Sequence, residues 1–404
     1  MSTVSQDPKQ IEWFLTHAVE NVYPSRELLR ERLLVGEPLK VYHGIDPTGP
    51  TLHLGHTVPL RKLAELQKLG HKVILLIGDF TAMIGDPTDK TATRKKLTRE
   101  EVLENCKLYK QQASRLLDFD GPNAAEFRFN SEWLAKMSFV DVVELASHFT
   151  VQQMMERDMF EKRMSEGKPI HLHEFLYPLM QGYDSVAMDV DIEIGGNDQM
   201  FNMLAGRTLL REMKNKEKYV ITGKLLTDPT GKKMGKSEGN MLSLSDTAED
   251  MFGKVMSWTD GMIIPGFEVC TEMRPEEIEM IEVSIKQGEN PMKWKRELGK
   301  RIVAWLYGDE AATRAEEEFN RVHQQGEAPE EIKEMKIESS ELSLLDALVM
   351  SELVASKSDA RRQIEQSGIK VNGELVTDPK TILTMNEEGT LIQKGKRHFV
   401  KLLK

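Results

Sequence analysis

Residues 42–56 read Tyr-His-Gly-Ile-Asp-Pro-Thr-Gly-Pro-Thr-Leu-His-Leu-Gly-His. The stretch leaves an apolar run, Val41 to Ile45, that predicts a short buried strand. It enters a segment from His53 to Leu69 in which Leu60, Leu63, Leu66 and Leu69 recur along one helical face and Gly70 is the stop. Val73-Ile-Leu-Leu-Ile77 follows, a continuous apolar run suited to a strand covered on both faces. Strand, helix and strand within about forty residues is the parallel crossover unit, expected to be right-handed.

The same alternation continues. Capping boxes at Thr98 with Glu101 and at Thr150 with Gln153 mark later helices. Asp189 to Ile194 reads as another strand ending in Gly195-Gly196, and Tyr219 to Thr222 as one more. This order predicts a doubly wound α/β domain over residues 1–240. Residues 246–323 are rich in helix formers and read as all-helical, within a second domain spanning 241–330. Residues 331–341 close a charged stretch, beginning near 326, that reads as a linker. A small third unit, 342–404, opens with helices at 344–354 and 359–367. Its next segment, Ile369 to Val376, has Asn372-Gly373 at its centre, the signature of a hairpin with a type I′ turn.

A chain of 404 residues with 40% hydrophobic and 29% charged residues is ordinary globular material for two or three domains. No apolar stretch is long enough to span a bilayer, and Met1 to Gln10 lacks an apolar signal core. Cys106 and Cys270, far apart and with no Cys-x-x-Cys pair, predict a reducing cytoplasm and no zinc ribbon. The net charge of −11 argues against a protein coated for nucleic acid. Residues 342–404, however, carry ten Lys and Arg against eight Asp and Glu. An acidic body with a mildly basic tail fits an enzyme that touches RNA through limited patches.

His53 and His56 fall on one side of the first helical turn, and Gly55 lets a ligand approach the backbone. The helix N-terminus adds oriented N–H groups and a positive end for phosphate oxygens. The same histidines could instead cap the helix; a metal pair lacks an obvious third ligand. Gly231-Lys-Lys-Met-Gly-Lys-Ser237 invites a phosphate-loop reading, but one residue is missing from the required spacing. Lys233 and Lys236 suit a mobile clamp on a leaving pyrophosphate, with a solvated basic loop as the plain alternative. Gly78 to Thr88 follows a buried strand, where α/β sheets bind ligands. Tyr177, Gln181 and Asp184 share one helical face, which either meets solvent or lines a pocket. Gly195-Gly-Asn-Asp-Gln199 again follows a strand.

The 42–56 segment and Lys233-Met-Gly-Lys-Ser237 resemble the His-Ile-Gly-His and Lys-Met-Ser-Lys-Ser signatures of class I aminoacyl-tRNA synthetases. With Tyr42, 78–88, 177–184 and 195–199, the chain from about residue 30 onward resembles the tyrosyl-tRNA synthetases. That resemblance implies a Rossmann-like parallel-sheet catalytic domain, an all-helical domain and a small α+β RNA-binding domain. It implies that Tyr42 and Asp184 read the substrate phenol, while Asp86, Tyr177 and Gln181 hold its α-ammonium group. Thr48, His53 and His56 would meet ATP phosphates, with Lys233 and Lys236 closing over them. Asp198 would bind ribose and Gln199 the reacting end of the substrate, with Gly44, Asp46, Gly55 and Gly196 lining the adenylate site. His43 stands where some relatives carry a small thiol residue, and Gly235 replaces the usual serine of the lysine loop.

The tail resembles an RNA-binding module shared with a ribosomal small-subunit protein. Lys357, Arg361, Arg362, Lys394, Lys396, Arg397, Lys401 and Lys404 would track a tRNA backbone by phosphate contacts. The implied reaction consumes tyrosine and ATP, with Mg2+ on the triphosphate and no protein-bound metal. The implied assembly is a homodimer, its interface within 125–180 where Phe127, Phe129, Trp133 and Phe139 cluster. The alternatives are a tryptophanyl-tRNA synthetase, which the Tyr42/Asp184 pair disfavours, and a non-catalytic RNA-binding relative, which would not need the phosphate-facing groups.

Overall fold

The computed structural model describes residues 4–87, 97–227, 241–322, 332–337, 339, 341–385, 389–395 and 398–404. Lys233, Gly235, Lys236, Thr88, Lys396 and Arg397 therefore lie outside the described residues. The chain divides into two compact units: residues 1–247 with 254–307, and residues 248–253 with 308–404.

The first unit is built on a six-stranded sheet of β1 (Val19–Tyr23), β2 (Lys40–Ile45), β3 (Lys72–Ile77), β4 (Glu126–Phe129), β5 (Ile192–Gly196) and β6 (Tyr219–Gly223), in the order β1-β6-β5-β2-β3-β4. Every pairing is parallel except β1 against β6. Helix Leu54–Lys68 carries the crossover from β2 to β3, as its leucine spacing predicts, and helix Met200–Lys214 that from β5 to β6. From β2 the chain therefore winds outward on one side, and from β5 outward on the other. The crevice beyond the carboxyl ends of β2 and β5 is the switch point where open α/β sheets take ligands.

Helix Leu54–Lys68 is buried nearly all round, Arg61 and Lys62 included. Arg61 donates to the Thr271 carbonyl at 2.9 Å and lies over the Trp305 ring, and Lys62 donates to the Phe14 carbonyl at 3.0 Å. Of the stretch 246–323, the described residues are helical as expected, in Ala248–Met256, Ile263–Cys270, Pro275–Lys286, Pro291–Tyr307 and Asp309–Asn320. Both capping boxes form. The strand expected from Asp189 starts at Ile192, because Asp189 takes a left-handed conformation (φ 51°) and closes helix Leu172–Met188. β1 and β4, at the two sheet edges, are strands that the sequence reading did not anticipate.

The second unit holds a five-stranded sheet of β7 (Lys333–Lys336), β9 (Ile369–Val371), β10 (Glu374–Leu375), β12 (Thr390–Lys394) and β13 (His398–Leu403). A two-stranded ribbon pairs β8 (Glu341–Ser343) with β11 (Ile382–Thr384). Helix Leu344–Met350 is one turn shorter than read, and helix Lys357–Glu365 has the expected length but starts two residues earlier. Their Leu344, Leu348, Ala360 and Ile364 share a core with Ile369, Ile392, Val400 and Leu402. The hairpin forms at Asn372-Gly373, with φ of 48° and 86°, and only such a pair suits a type I′ turn. Within the stretch 331–341, read as a linker, residues 333–336 instead form a strand. β7 pairs parallel with β13, Met335 packs on the core and Ile337 is buried, so two apolar residues among charges are enough to seat the strand.

Candidate active site

Tyr42 sits in mid-β2, opposite Ile74 of β3 and Glu193 of β5. Its ring is fully buried, and its hydroxyl lies 3.0 Å from Ser185 Oγ. Burial, with Glu193 and Asp184 nearby, holds the phenol well above its ordinary range, so it stays protonated. Asp184, on helix Leu172–Met188, accepts from Trp133 Nε1 at 2.7 Å and more distantly from Asn130 Nδ2 at 3.4 Å. Burial pushes its carboxyl well above the carboxylate range, and Glu193 and Asp46 add to the shift against those two donors.

The other two residues of the helical triad do face the crevice's carboxylates. Tyr177 donates to Asp46 Oδ2 at 2.8 Å, and Thr81 donates to Asp46 Oδ1 at 2.7 Å. Gln181 Nε2 donates to Glu193 Oε1 at 3.1 Å while its carbonyl accepts from Asn202 at 3.0 Å. Asp86 pairs with Arg157 at 2.8 Å and accepts from Gln199 Nε2 at 2.9 Å. Asn202 also donates to Gln199 Oε1 at 3.0 Å. Asp86, Tyr177 and Gln181, expected to share one substrate group, are thus each held by a neighbour of their own. Asp46, Asp86 and Glu193 outnumber Arg157 and Lys218 even without Asp184, which favours a cationic group in the crevice.

His53 and His56 do cap the helix. His53 Nδ1 accepts from the Gly55 N–H at 3.1 Å, and His56 Nδ1 accepts from the His53 N–H at 3.1 Å. Burial keeps His56 well below its ordinary value, hence neutral, and its remaining proton is on Nε2. The capping alternative and the phosphate reading are therefore compatible: the inner nitrogen shapes the turn and the outer one is a donor. His43 is the reverse. Its Nδ1 donates to the Ile194 carbonyl at 2.8 Å, burial lowers it to about 4, and Nε2 is a buried acceptor with no partner among the described residues. Gly44 and Gly55 are exposed, Gly196 ends β5, Asp198 is exposed in the turn Asn197–Gln199, and Thr48 is exposed with its N–H on the Asp46 carbonyl at 2.8 Å.

The sequence reading missed Arg157, Ser185, Glu193, Asn202 and Lys218. Glu193 had a legible signal, a charge between Ile192 and Ile194 in a strand with no solvent face. Among the described residues no cluster of three or more His, Cys, Asp and Glu could hold a metal ion, and no helix is long and apolar enough to cross a membrane. In the second unit, Lys357 pairs with Asp346 and Arg362 with Asp359, each at 2.5 Å and well exposed. Lys394 donates to the Leu353 carbonyl at 2.5 Å, and Arg361 is exposed. Ion pairs as open as these hold their cations weakly.

Residues 35–324 match the family model described as tRNA synthetases class I (W and Y), and residues 324–402 match the tyrosine–tRNA ligase SYY-like C-terminal domain. The tyrosine–tRNA ligase of Carboxydothermus hydrogenoformans is 44% identical over 410 residues, covering 99% of both chains. That of Geobacter sulfurreducens is 45% identical over 381 residues, covering 93% of each. Among solved structures, a C-terminally truncated mitochondrial tyrosyl-tRNA synthetase of Coccidioides posadasii matches 77% of this chain and 94% of its own, with TM-score 0.60 and 25% identity. The Archaeoglobus fulgidus tyrosyl-tRNA synthetase complexed with L-tyrosine, at 23% identity and TM-score 0.60, shares the fold over 77% of this chain and 100% of its own.

Proposed function

The chain belongs to the tyrosine–tRNA ligases of the class I tRNA synthetases, and from that premise we propose that its crevice between β2 and β5 activates tyrosine with ATP. The tyrosine carboxylate attacks the α-phosphate, pyrophosphate leaves, and the tyrosyl group of the adenylate then passes to the 3′ end of a tyrosine tRNA. The observation that carries the reading is that buried Tyr42 and buried Asp184 are electrostatic neighbours, on a strand that leads into the histidine-capped helix start. A phenol fits buried hydroxyl and carboxyl partners. Its α-ammonium suits the Asp46, Tyr177 and Asp86 group, and Nε2–H of His56 suits a phosphate oxygen. ATP enters with Mg2+ as part of the substrate, and Lys233 and Lys236 complete the pyrophosphate end. Rate comes from positioning and charge stabilisation, with no covalent nucleophile.

In this reading the enzyme works in the cytoplasm as a homodimer, and the basic groups of the second unit bind the tRNA backbone. Phe139, Val140 and Val143 project from helix Phe139–Ser147 with Leu172 also open, an apolar surface that a second copy would cover. Phe127, Phe129 and Trp133 are half-buried, and Trp133 is turned inward on Asp184, so Phe139 is the better anchor of the four. Phe139→Glu is expected to shift sedimentation from dimer to monomer; an unchanged coefficient places the interface elsewhere. The reaction itself is tested by amino-acid-dependent ATP–pyrophosphate exchange with each proteinogenic amino acid. Tyrosine alone is expected to support it, and exchange with tryptophan instead would reassign the substrate.

A further inference from the structure

Behind Tyr42 and Gln181 lies a lysine that nothing in the reaction calls for. Lys218 is fully buried, just before β6, and its ammonium spends all three N–H groups: on Glu193 Oε2, on Ser185 Oγ at 2.7 Å and on the Met203 carbonyl at 3.1 Å. Glu193 uses its other oxygen to accept from Gln181, and Ser185 Oγ meets the Tyr42 hydroxyl. One ion pair thus stands directly behind both side chains expected to contact the substrate. Room for it is made by Gly206, where a Cβ would lie 2.5 Å from Lys218 Nζ and 2.9 Å from Ser185 Oγ.

Proton accounting gives this arrangement a purpose. Ser185 has one hydroxyl proton and two takers, Glu193 Oε2 at 3.5 Å and Tyr42 Oη at 3.0 Å. Lys218 already satisfies Glu193 Oε2 and donates to Ser185 Oγ, so the serine proton goes to Tyr42 at the shorter distance. Tyr42 Oη, now an acceptor from behind, keeps its own proton for the crevice because Lys218 occupies the Glu193 oxygen that would otherwise draw it. A substrate phenol has one proton to give to Asp184 and lone pairs that need a donor. We propose that Lys218, through Glu193 and Ser185, is a positioning residue that turns the Tyr42 hydroxyl into a donor toward the substrate phenol and so sets selection of tyrosine over phenylalanine. Without the cation, the side-chain oxygen at position 193 and Ser185 Oγ both lose their donor, so they take the serine or tyrosine proton, and Tyr42 presents a lone pair where a donor is needed.

The inference rests on the proposed function, and one set of assays separates the two. Lys218→Met alone strands a buried carboxylate, so the informative variant is Lys218→Met with Glu193→Gln, a neutral pair of similar volume. Its Tm and its KM for ATP are expected to stay near those of the unmodified chain. Its KM for tyrosine rises and its preference for tyrosine over phenylalanine falls by about tenfold, the worth of one well-placed hydrogen bond. Adding Tyr42→Phe to that background costs little more, because the donor is already lost. Ser185→Ala, which leaves the ion pair in place, breaks the same relay and lowers the same preference. Unchanged discrimination in both variants, or a Tyr42→Phe penalty as large in the neutral-pair background as in the unmodified chain, overturns the relay. Absence of tyrosine-dependent exchange in the unmodified chain sinks the functional reading and the relay together.

Discussion

In the proposed reaction His53 has one job for each of its two nitrogens, and substitutions can separate them. Nδ1 accepts from the Gly55 N–H and caps helix Leu54–Lys68, and Nε2 is the atom that the proposed reaction sets against a phosphate oxygen. Asparagine is among the best capping residues but has no distal donor. His53→Asn is therefore expected to keep Tm while lowering the rate of adenylate formation roughly 10²-fold, since the lost contact strengthens as phosphate charge develops. His53→Ala loses both, with about 1 kcal/mol of stability gone as well. Equal rates for the asparagine variant and the unmodified chain, in single-turnover kinetics, would leave His53 as a cap only. Asp184 makes the complementary case. Its folded-state pKa is raised above that of an unfolded aspartate, so the native state binds the extra proton, and stability falls as pH rises from the ordinary carboxylate range through the raised value. Asp184→Asn removes that titration. Its Tm above this window is expected to exceed that of the unmodified chain by on the order of 1–2 °C, the effect of about 1 kcal/mol on a unit of this size. Tyrosine selection is expected to weaken at the same time. A Tm-against-pH curve parallel to that of the parent would show that Asp184 ionises freely in the fold. At this scale the motif residues were legible because polar groups at strand ends and helix starts break apolar periodicity. Ser185 and Lys218 were not, because a small hydroxyl within a helix and a lysine before a strand look the same whether they meet solvent or each other.

Elements were legible in proportion to how far their surroundings agreed with their pattern. β2 is buried over most of its length and β3 reads as a continuous apolar run covered on both faces, so their limits fell within one residue of expectation. β1 and β4 are sheet edges of mixed burial, and Glu126-Phe-Arg-Phe129 alternates too briefly to stand out. The start of β5 was displaced because Val190 and Asp191 extend the apolar-acidic pattern back over the helix cap, whereas Asp189 takes the left-handed turn that ends helix Leu172–Met188. That helix crosses Met200–Lys214 at two glycines. A Cβ on Gly182 would lie 3.1 Å from the Gly206 nitrogen, and one on Gly206 would lie 3.2 Å from the Gly182 Cα. Gly206→Ala is expected to push the helices apart and displace the Lys218 ammonium, at a cost of about 1–3 kcal/mol. Chemical denaturation measures it. A loss within experimental error would mean that the crossing relaxes at no cost and that Lys218 tolerates the shift.

At the scale of the whole molecule, composition separated an acidic body from a basic tail but drew the tail's edge too late. The charges of 326–341 suggested a linker, yet Met335 and Ile337 seat β7 against β13, and a single alternating pair inside a charged run is too short a signal to read. The difference decides how the tail can be removed. A chain ending at residue 341 keeps β7 without β13, leaving the strand's hydrogen-bonding edge and its two apolar side chains unpartnered. A chain ending at residue 331 removes the sheet entire, and with it the exposed Arg361 and the weakly paired Lys357 and Arg362. The shorter chain is expected to retain tyrosine-dependent pyrophosphate exchange, because every described residue of the crevice lies between Tyr42 and Lys218. Its charging of tRNA should fall sharply, and the salt dependence of its tRNA binding should flatten as phosphate contacts disappear. The chain ending at 341 should share the charging defect and, in addition, aggregate at lower protein concentration through its open edge. Charging by the 331 chain at the full rate across several salt concentrations would show that the second sheet does not bind tRNA. Lost exchange in that chain would show instead that the adenylate site depends on the second sheet for its stability.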